Sequence, residues 1–222
     1  MKIEIVNIEK HYRKKQVLRD ISFTAEGGSC IGILGANGSG KSTLLSILAG
    51  VLKRDSGAFL FDGEDLFKNP ARRAQLVGYV PQGTPLIEEL TAKDNLSLWY
   101  DAKTMEKELK SGVLKMLGID KFLKVTVNKM SGGMKKRLSI GCAMAKRPPI
   151  MLLDEPTAAL DLVCKESISE YLQIYKKSGG LLLLTTHDVT ELALCDQCYI
   201  IKEGKLVPFV FDGDVKKLVE SL

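Results

Sequence analysis

The glycine-rich segment 35–43 is the part of the sequence whose residue types and spacing have the clearest chemistry. It reads GANGSGKST, which fits the phosphate-binding pattern G-x-x-x-x-G-K-[ST]. Glycines let successive backbone N–H groups turn toward an anion, Lys41 supplies a compact cation, and the Ser42 hydroxyl can ligate Mg²⁺. The candidate phosphate-binding residues are Gly35, Asn37, Gly38, Ser39, Gly40, Lys41, Ser42 and Thr43. The segment therefore predicts a phosphate-binding loop (P-loop).

Two acidic residues follow an apolar run later in the chain. Residues Ile150–Leu153 predict a buried strand, and Asp154 and Glu155 come directly after it. Ligands bind in open α/β sheets at the C-terminal ends of parallel strands. Asp154 therefore suits Mg²⁺ binding through water, and Glu155 suits orienting or deprotonating an attacking water. A surface acid pair after a strand is the alternative, which the upstream P-loop disfavours.

The elements that must position these residues alternate between strands and helices. The P-loop lies between a strand candidate, Cys30–Leu34, and a helix candidate, Leu44–Ala49, which disfavours a plain glycine-rich turn. Further strands are predicted at Ile3–Ile8, Ile21–Ala25, Ala58–Phe61, Val77–Val80 and Leu181–Thr185, with a hairpin of Cys198–Ile201 and Leu206–Val207. Further helices are predicted at Leu162–Tyr175 and from near Asp214. The sum is an α/β core.

Apolar residues recur at helical spacing between Thr91 and about Lys124, with no strand-like run among them. The positions are Leu96, Leu98, Trp99, Leu109, Val113, Leu114 and Leu117. This pattern predicts a helical arm inserted in the α/β core.

The composition of the chain argues against several other classes of protein and site. The chain has 222 residues, a net charge of +5 and Lys and Arg spread along its length, so nucleic-acid binding is not expected. No run of apolar residues is long enough for a transmembrane helix. Cys30 and Cys142 lie in apolar segments and are predicted to be core residues. Cys195 and Cys198 form a C-x-x-C pair without a second pair, which disfavours a zinc site and a redox site.

The order of these motifs resembles that of the ATP-binding subunits of ATP-binding cassette (ABC) transporters, from Ile3 to about Lys205. Met130-Ser131-Gly132-Gly133-Met134 resembles the family signature L-S-G-G-Q, with Met130 and Met134 as departures. Met134 cannot make the hydrogen bonds of the usual glutamine. The resemblance implies one domain over residues 1–222, with a P-loop core, an N-terminal antiparallel β subdomain and a helical signature subdomain at roughly 84–146.

The resemblance also implies roles for individual residues. Tyr12 would stack on adenine, Gln82 would reach Mg²⁺ and the lytic water, and His187 would sense the γ-phosphate. Mg²⁺ would be held by Ser42, Gln82 and Asp154. Ser131, Gly132 and Gly133 would bind the γ-phosphate held by a second copy, and Asp161 would lie at the interface between copies and cap the next helix.

The function implied is ATP hydrolysis that powers transport through separate transmembrane permease subunits. The chain would form an ATP-dependent head-to-tail homodimer, or a heterodimer with a related ATPase. It would lie in the cytoplasm on the inner face of the cell membrane, held there by the permease.

The compact form with Glu89-Leu90-Thr91 favours an exporter of the drug, antibiotic or peptide type. The alternatives are an importer subunit, a soluble ABC ATPase acting on ribosomes or DNA, and a nucleotide-binding module without hydrolysis, which intact Lys41, Asp154, Glu155 and His187 disfavour.

Overall fold

The structure is a computed structural model that describes residues 1–214, 216, 218 and 220. The helix expected from near Asp214 falls largely outside the described residues. Within them, no helix is both long enough and apolar enough to cross a membrane.

The described residues form strands and helices in the alternating order that the sequence predicts. The strands are β1 (Lys2–Tyr12), β2 (Lys15–Glu26), β3 (Cys30–Leu34), β4 (Ser56–Phe61), β5 (Glu64–Asp65), β6 (Val77–Val80), β7 (Ile150–Asp154), β8 (Leu181–Thr185), β9 (Gln197–Lys202) and β10 (Lys205–Phe209). The helices are α1 (Lys41–Ala49), α2 (Pro70–Leu76), α3 (Ala92–Ser97), α4 (Ala102–Ser111), α5 (Val113–Met116), α6 (Gly132–Ala143), α7 (Leu162–Lys177) and α8 (Val189–Leu192).

The strands form two sheets. An antiparallel sheet at the N-terminus has the order β2-β1-β4-β5, and the central sheet has the order β10-β9-β3-β8-β7-β6. Within the central sheet, β6, β7, β8, β3 and β9 are parallel, and only the edge strand β10 is antiparallel. The predicted fold class, an α/β P-loop core with an antiparallel β subdomain and a helical subdomain, is confirmed.

The middle strands of the central sheet are buried on both faces, because every residue of β3, β7 and β8 is buried. Alternate side chains of these strands enter two different hydrophobic clusters, as the two-residue period of a strand requires. Met151, Leu153, Leu182 and Leu184 pack with the helical arm, while Ile150, Leu152, Leu181 and Leu183 pack with α1 and the antiparallel sheet. The central sheet is therefore packed between two apolar layers, one on each face.

The helical arm comprises α3 to α6, together with short 3₁₀ turns at Ile119–Lys121 and Val127–Lys129. Three of the apolar residues with helical spacing, Leu96, Leu114 and Leu117, are fully buried. Leu98 and Trp99 share that spacing but are 59% and 60% exposed. These two residues follow the end of the short helix α3 at Ser97 and lie outside the buried face of the arm.

Four of the cysteines are buried, Cys195 is half-buried, and all five are free thiols. Cys30 and Cys142 are buried, as predicted. Cys195 of the C-x-x-C pair contacts Cys30, with 3.6 Å between the two sulfur atoms. A search of the described residues finds no group of three His, Cys, Asp or Glu side chains able to hold a metal ion.

Candidate functional site

The predicted catalytic segments meet at one edge of the central sheet. Strands β3, β8, β7 and β6 are parallel neighbours, so their C-terminal ends share an edge. The P-loop follows β3, Gln82 follows β6, Glu155 follows β7 and His187 follows β8. The fold therefore brings together residues that are far apart in the sequence.

Two glycines of the P-loop have backbone conformations and neighbours that leave no room for a side chain. Gly40 has φ 114°, and a Cβ atom there would lie 2.9 Å from Leu18 Cδ2. Gly35 has φ 145°, and a Cβ atom there would lie 2.6 Å from Ser39 Oγ. Both positions favour glycine on conformational and steric grounds. The loop can thus turn sharply and present the N-terminus of α1 to a ligand.

The P-loop contains polar groups that suit a phosphate. The Lys41 side chain is 7% exposed, and its Nζ donates to the carbonyl oxygens of Gly35 and Ala36 at 2.6 Å and 3.3 Å. Burial lowers the pKa of Lys41, and the nearby Glu155 and Asp154 oppose that shift. Ser39 Oγ is buried without a hydrogen-bond partner among the described residues. A bound phosphate would offer acceptors to the Ser39 hydroxyl and the Lys41 ammonium.

The acidic pair is fixed by the neighbouring strand β8. Asp154 is 2% exposed, and the Thr185 hydroxyl donates to its Oδ1 at 2.5 Å. The Glu155 N–H donates to the carbonyl and the hydroxyl oxygen of Thr185 at 3.1 Å and 3.0 Å. Glu155 has φ 48°, a left-handed conformation that is unfavourable for glutamate. Thr185 therefore holds Glu155 in a strained conformation at the sheet edge, a role that sequence reasoning missed.

Gln82 and His187 approach Glu155 on its two carboxylate oxygens. Gln82 Nε2 donates to Glu155 Oε2 at 3.0 Å, and His187 Nε2 lies 3.7 Å from Glu155 Oε1. Burial and Lys41 lower the pKa of His187, and Glu155 opposes the shift. The lowered pKa favours the neutral imidazole, in which one ring nitrogen can donate a hydrogen bond to a phosphate oxygen.

The oxygen donors at this edge suit Mg²⁺ rather than a metal held by protein side chains alone. Ser42, Gln82 and Asp154 supply a hydroxyl, an amide oxygen and a single carboxylate. Magnesium commonly takes one or two carboxylates together with substrate phosphates and water. The residues present therefore fit a magnesium ion that arrives with a nucleotide.

A cavity of about 460 Å³ runs from Tyr12 past the P-loop to Glu155, and Gln82 also lines it. This volume lies within the usual range for small-molecule sites. Tyr12 is 47% exposed, and Lys10 Nζ lies 5.7 Å from the centroid of its ring, an aromatic face that suits stacking on a base. A larger, open cavity of about 620 Å³ borders the same loop and is lined by Lys14, Lys15 and Arg19 among others. These cations give the approach to the P-loop a positive potential that attracts a polyphosphate.

The signature segment lies elsewhere on the surface. Ser131 caps α6 by accepting from the Met134 N–H at 3.3 Å, and Asp161 caps α7 by accepting from the Cys164 N–H at 2.9 Å. A Cβ atom at Gly133 would collide with Cys164, so the beginnings of the two helices are in contact. None of the described residues that line the 460 Å³ cavity comes from the signature segment.

Comparisons with known proteins agree on one family. A family model described as ABC transporter matches residues 18–158. The linearmycin resistance ATP-binding protein LnrL of Bacillus subtilis (strain 168) is 35% identical over 210 residues, covering 92% of this chain and 68% of that protein. The probable sulfate/thiosulfate import ATP-binding protein CysA of Chlorella vulgaris is 32% identical over 213 residues, covering 93% of this chain and 90% of that protein.

A solved structure also matches nearly the whole chain. It is the dimeric, post-hydrolysis state of the ATP-binding cassette MJ0796 bound to ADP and Pi. Its TM-score is 0.83 at 28% sequence identity, and the match covers 96% of this chain and 100% of that chain.

Proposed function

This chain belongs to the ABC transporter family as an ATP-binding, ATP-hydrolysing subunit, and from that premise we propose that it hydrolyses ATP in a composite site between two copies. The observation that carries the proposal is the separation of Ser131–Gly133 from the cavity around Lys41. A head-to-tail dimer places the signature segment of each copy over the P-loop of the other, with reciprocal contacts. ATP binding then stabilises the dimer, because its phosphates bridge both copies. Mixing a variant disabled in the P-loop with a variant disabled in the signature segment tests this proposal.

The proposed reaction is in-line attack of water on the γ-phosphate. Lys41 leaves its loop carbonyls to neutralise phosphate charge, and the P-loop N–H groups hold the phosphates. Glu155 orients the water and accepts its proton, while Gln82 and His187 fix the positions of the water and the γ-phosphate. When bound, Mg²⁺ supplies further neutralisation of charge on the phosphate oxygens.

We propose that the membrane partner binds a segment directly before the helical arm, residues 85–90, here called the docking segment. Its backbone is held by the buried Asn95, which accepts from the Ile87 N–H at 2.9 Å and donates to the Ile87 carbonyl at 3.1 Å. Ile87 is nevertheless 46% exposed, and Glu88 and Glu89 are exposed beside it. An ordered segment with an exposed apolar residue and two acids suits a basic, amphipathic coupling helix of a permease.

Reversing the two charges tests this assignment. The double variant Glu88→Lys, Glu89→Lys should weaken association with the permease by roughly tenfold, because like charges would meet at the interface. The measurement is the fraction of the chain that sediments with membranes containing its co-expressed permease. The matched control is Glu166→Lys, Glu170→Lys, which makes the same charge change at exposed positions of α7. Equal sedimentation of the two double variants would contradict the assignment.

We propose further that the transported compound is exported. The linearmycin resistance role in the name of the Bacillus relative favours export. The import role in the name of the Chlorella relative supports the alternative. The identity of the neighbouring genes distinguishes these alternatives. A neighbouring gene for a multi-span membrane protein, without one for a solute-binding protein, would support export. The absence of any neighbouring gene for a membrane protein would support a soluble ATPase.

A further inference from the structure

A second buried lysine lies behind the catalytic edge and has no part in the reaction as described so far. Lys136 lies in the second turn of α6, two residues after the signature segment, and is 5% exposed. Burying a lysine is costly unless its ammonium group is paired with hydrogen-bond acceptors. Its contacts should therefore account for its position.

The contacts of Lys136 are with the turn that carries Gln82. Lys136 Nζ donates to the carbonyl oxygens of Pro81 and Gln82, each at 3.0 Å. Hydrogen bonds from an ionised donor are roughly twice as strong as neutral ones. These two bonds span 55 and 54 residues of sequence and join α6 to the end of β6. The ammonium group thus ties the backbone of Gln82 to the signature helix.

The Gln82 side chain itself has little else to hold it. Gln82 is exposed, and its amide donates to Glu155 Oε2 at 3.0 Å. An exposed side chain keeps one rotamer only when its backbone is fixed and its partner is in reach. The two carbonyl bonds from Lys136 supply that fixed backbone. A shift of α6 would therefore move Gln82 relative to Glu155.

The charges around Lys136 point to the same edge of the sheet. Burial lowers the pKa of Lys136, and Asp154, Glu155 and Glu191 oppose that shift. Lys41 is influenced by the same two catalytic acids, Glu155 and Asp154. Both buried lysines, Lys41 of the P-loop and Lys136 of the signature helix, are thus within electrostatic range of the same two acids.

We propose that Lys136 is a positioning residue for ATP hydrolysis, which couples the position of the signature helix to the Gln82–Glu155 contact in the same chain. The proposal rests on the composite site proposed above. When Ser131–Gly133 engage the nucleotide held by the second copy, α6 and the Gln82 turn move as one body. Engagement of the signature segment of a copy then improves the alignment of the catalytic glutamate in that same copy.

Lys136→Met tests the proposal, since it keeps the length and apolar stem of the side chain and removes the donor. In the purified full chain we expect kcat for ATP to fall roughly ten- to hundredfold, as a misplaced catalytic group does. The dissociation constant for ATP should stay within about twofold, because Lys136 contacts no part of the P-loop. Lys136→Gln, which retains an amide donor, should recover part of the lost kcat.

The control is Lys135→Met, on the same helix. Lys135 is partly exposed, and its Nζ lies 3.7 Å from Glu88 Oε1. Surface ion pairs of this kind contribute little to the stability of the fold. The kcat of Lys135→Met should equal that of the wild type.

Thermal unfolding measurements show whether Lys136→Met and Lys136→Gln are folded. If both variants are folded and hydrolyse ATP at the wild-type kcat, the inference is wrong. If both lower kcat equally, or raise the dissociation constant for ATP in parallel, Lys136 has a structural role instead. An inactive wild type and Lys135→Met would overturn the proposed function itself.

Discussion

Glu155→Gln should lower the rate of ATP hydrolysis by roughly 10²- to 10⁴-fold, the usual contribution of a general base, while ATP still binds. Glutamine keeps an oxygen that can accept from Gln82, and it meets the same left-handed backbone as glutamate. The geometry of the site should therefore survive, and only proton acceptance is lost. The measurement is single-turnover hydrolysis at saturating ATP, beside an equilibrium ATP-binding assay.

The same variant should accumulate as a dimer when ATP is present, since the nucleotide that joins the copies is no longer cleaved. Size-exclusion chromatography with and without ATP measures this. The control is Glu170→Gln on the exposed face of α7, which should behave as the wild type. Wild-type hydrolysis by Glu155→Gln would exclude Glu155 as the base.

Lys41→Ala should weaken ATP binding by roughly ten- to hundredfold, because hydrogen bonds to a charged group contribute about 1.5–3 kcal/mol. The lost contact is with the phosphates, so adenosine, which has none, should bind both proteins equally. Isothermal titration with ATP and with adenosine measures the two effects.

A matched control shows whether the effect belongs to the P-loop. Lys53→Ala removes the same charge from an exposed position outside the P-loop, and ATP should bind it as it binds the wild type. A wild-type dissociation constant for ATP in Lys41→Ala would refute the P-loop assignment.

The sequence predicts the central sheet well because its strands are continuous apolar runs. Cys30–Leu34, Val77–Val80 and Leu181–Thr185 are observed with the bounds that were predicted. These runs consist almost entirely of apolar residues, so their ends are marked by the first polar neighbours. The catalytic segments follow such runs directly, so their shared edge could be predicted as well.

The helix α2 could not be predicted from apolar periodicity. It has one buried residue, Leu76, so almost no stripe distinguishes it. Its start does carry a local signal, since Asn69 caps it by accepting from the Arg72 N–H and Pro70 occupies its first turn. Strand β2 likewise begins earlier than predicted, at Lys15, because its first residues are only partly buried.

The contacts that support the site could not be predicted from the sequence, because they join segments that are far apart along the chain. Thr185 stands at the end of an apolar strand like many structural threonines, and only its pairing with Asp154 across β7 and β8 gives it a role. Lys136 is one of a cluster of basic residues after the signature segment, and its burial distinguishes it. Such contacts depend on how the arm packs on the core.

The composite site is tested most directly by mixing two inactive variants. Lys41→Ala disables the P-loop of one copy, and Ser131→Arg blocks the signature segment of another. In a head-to-tail dimer of one copy of each, the remaining P-loop faces the remaining signature segment. Each variant alone should be inactive, and an equal mixture should recover ATPase activity of at most about a quarter of the wild-type rate, since half of the dimers are mixed and each has one intact site. A mixture as inactive as its components, or full activity of Ser131→Arg alone, would contradict a site shared between two copies.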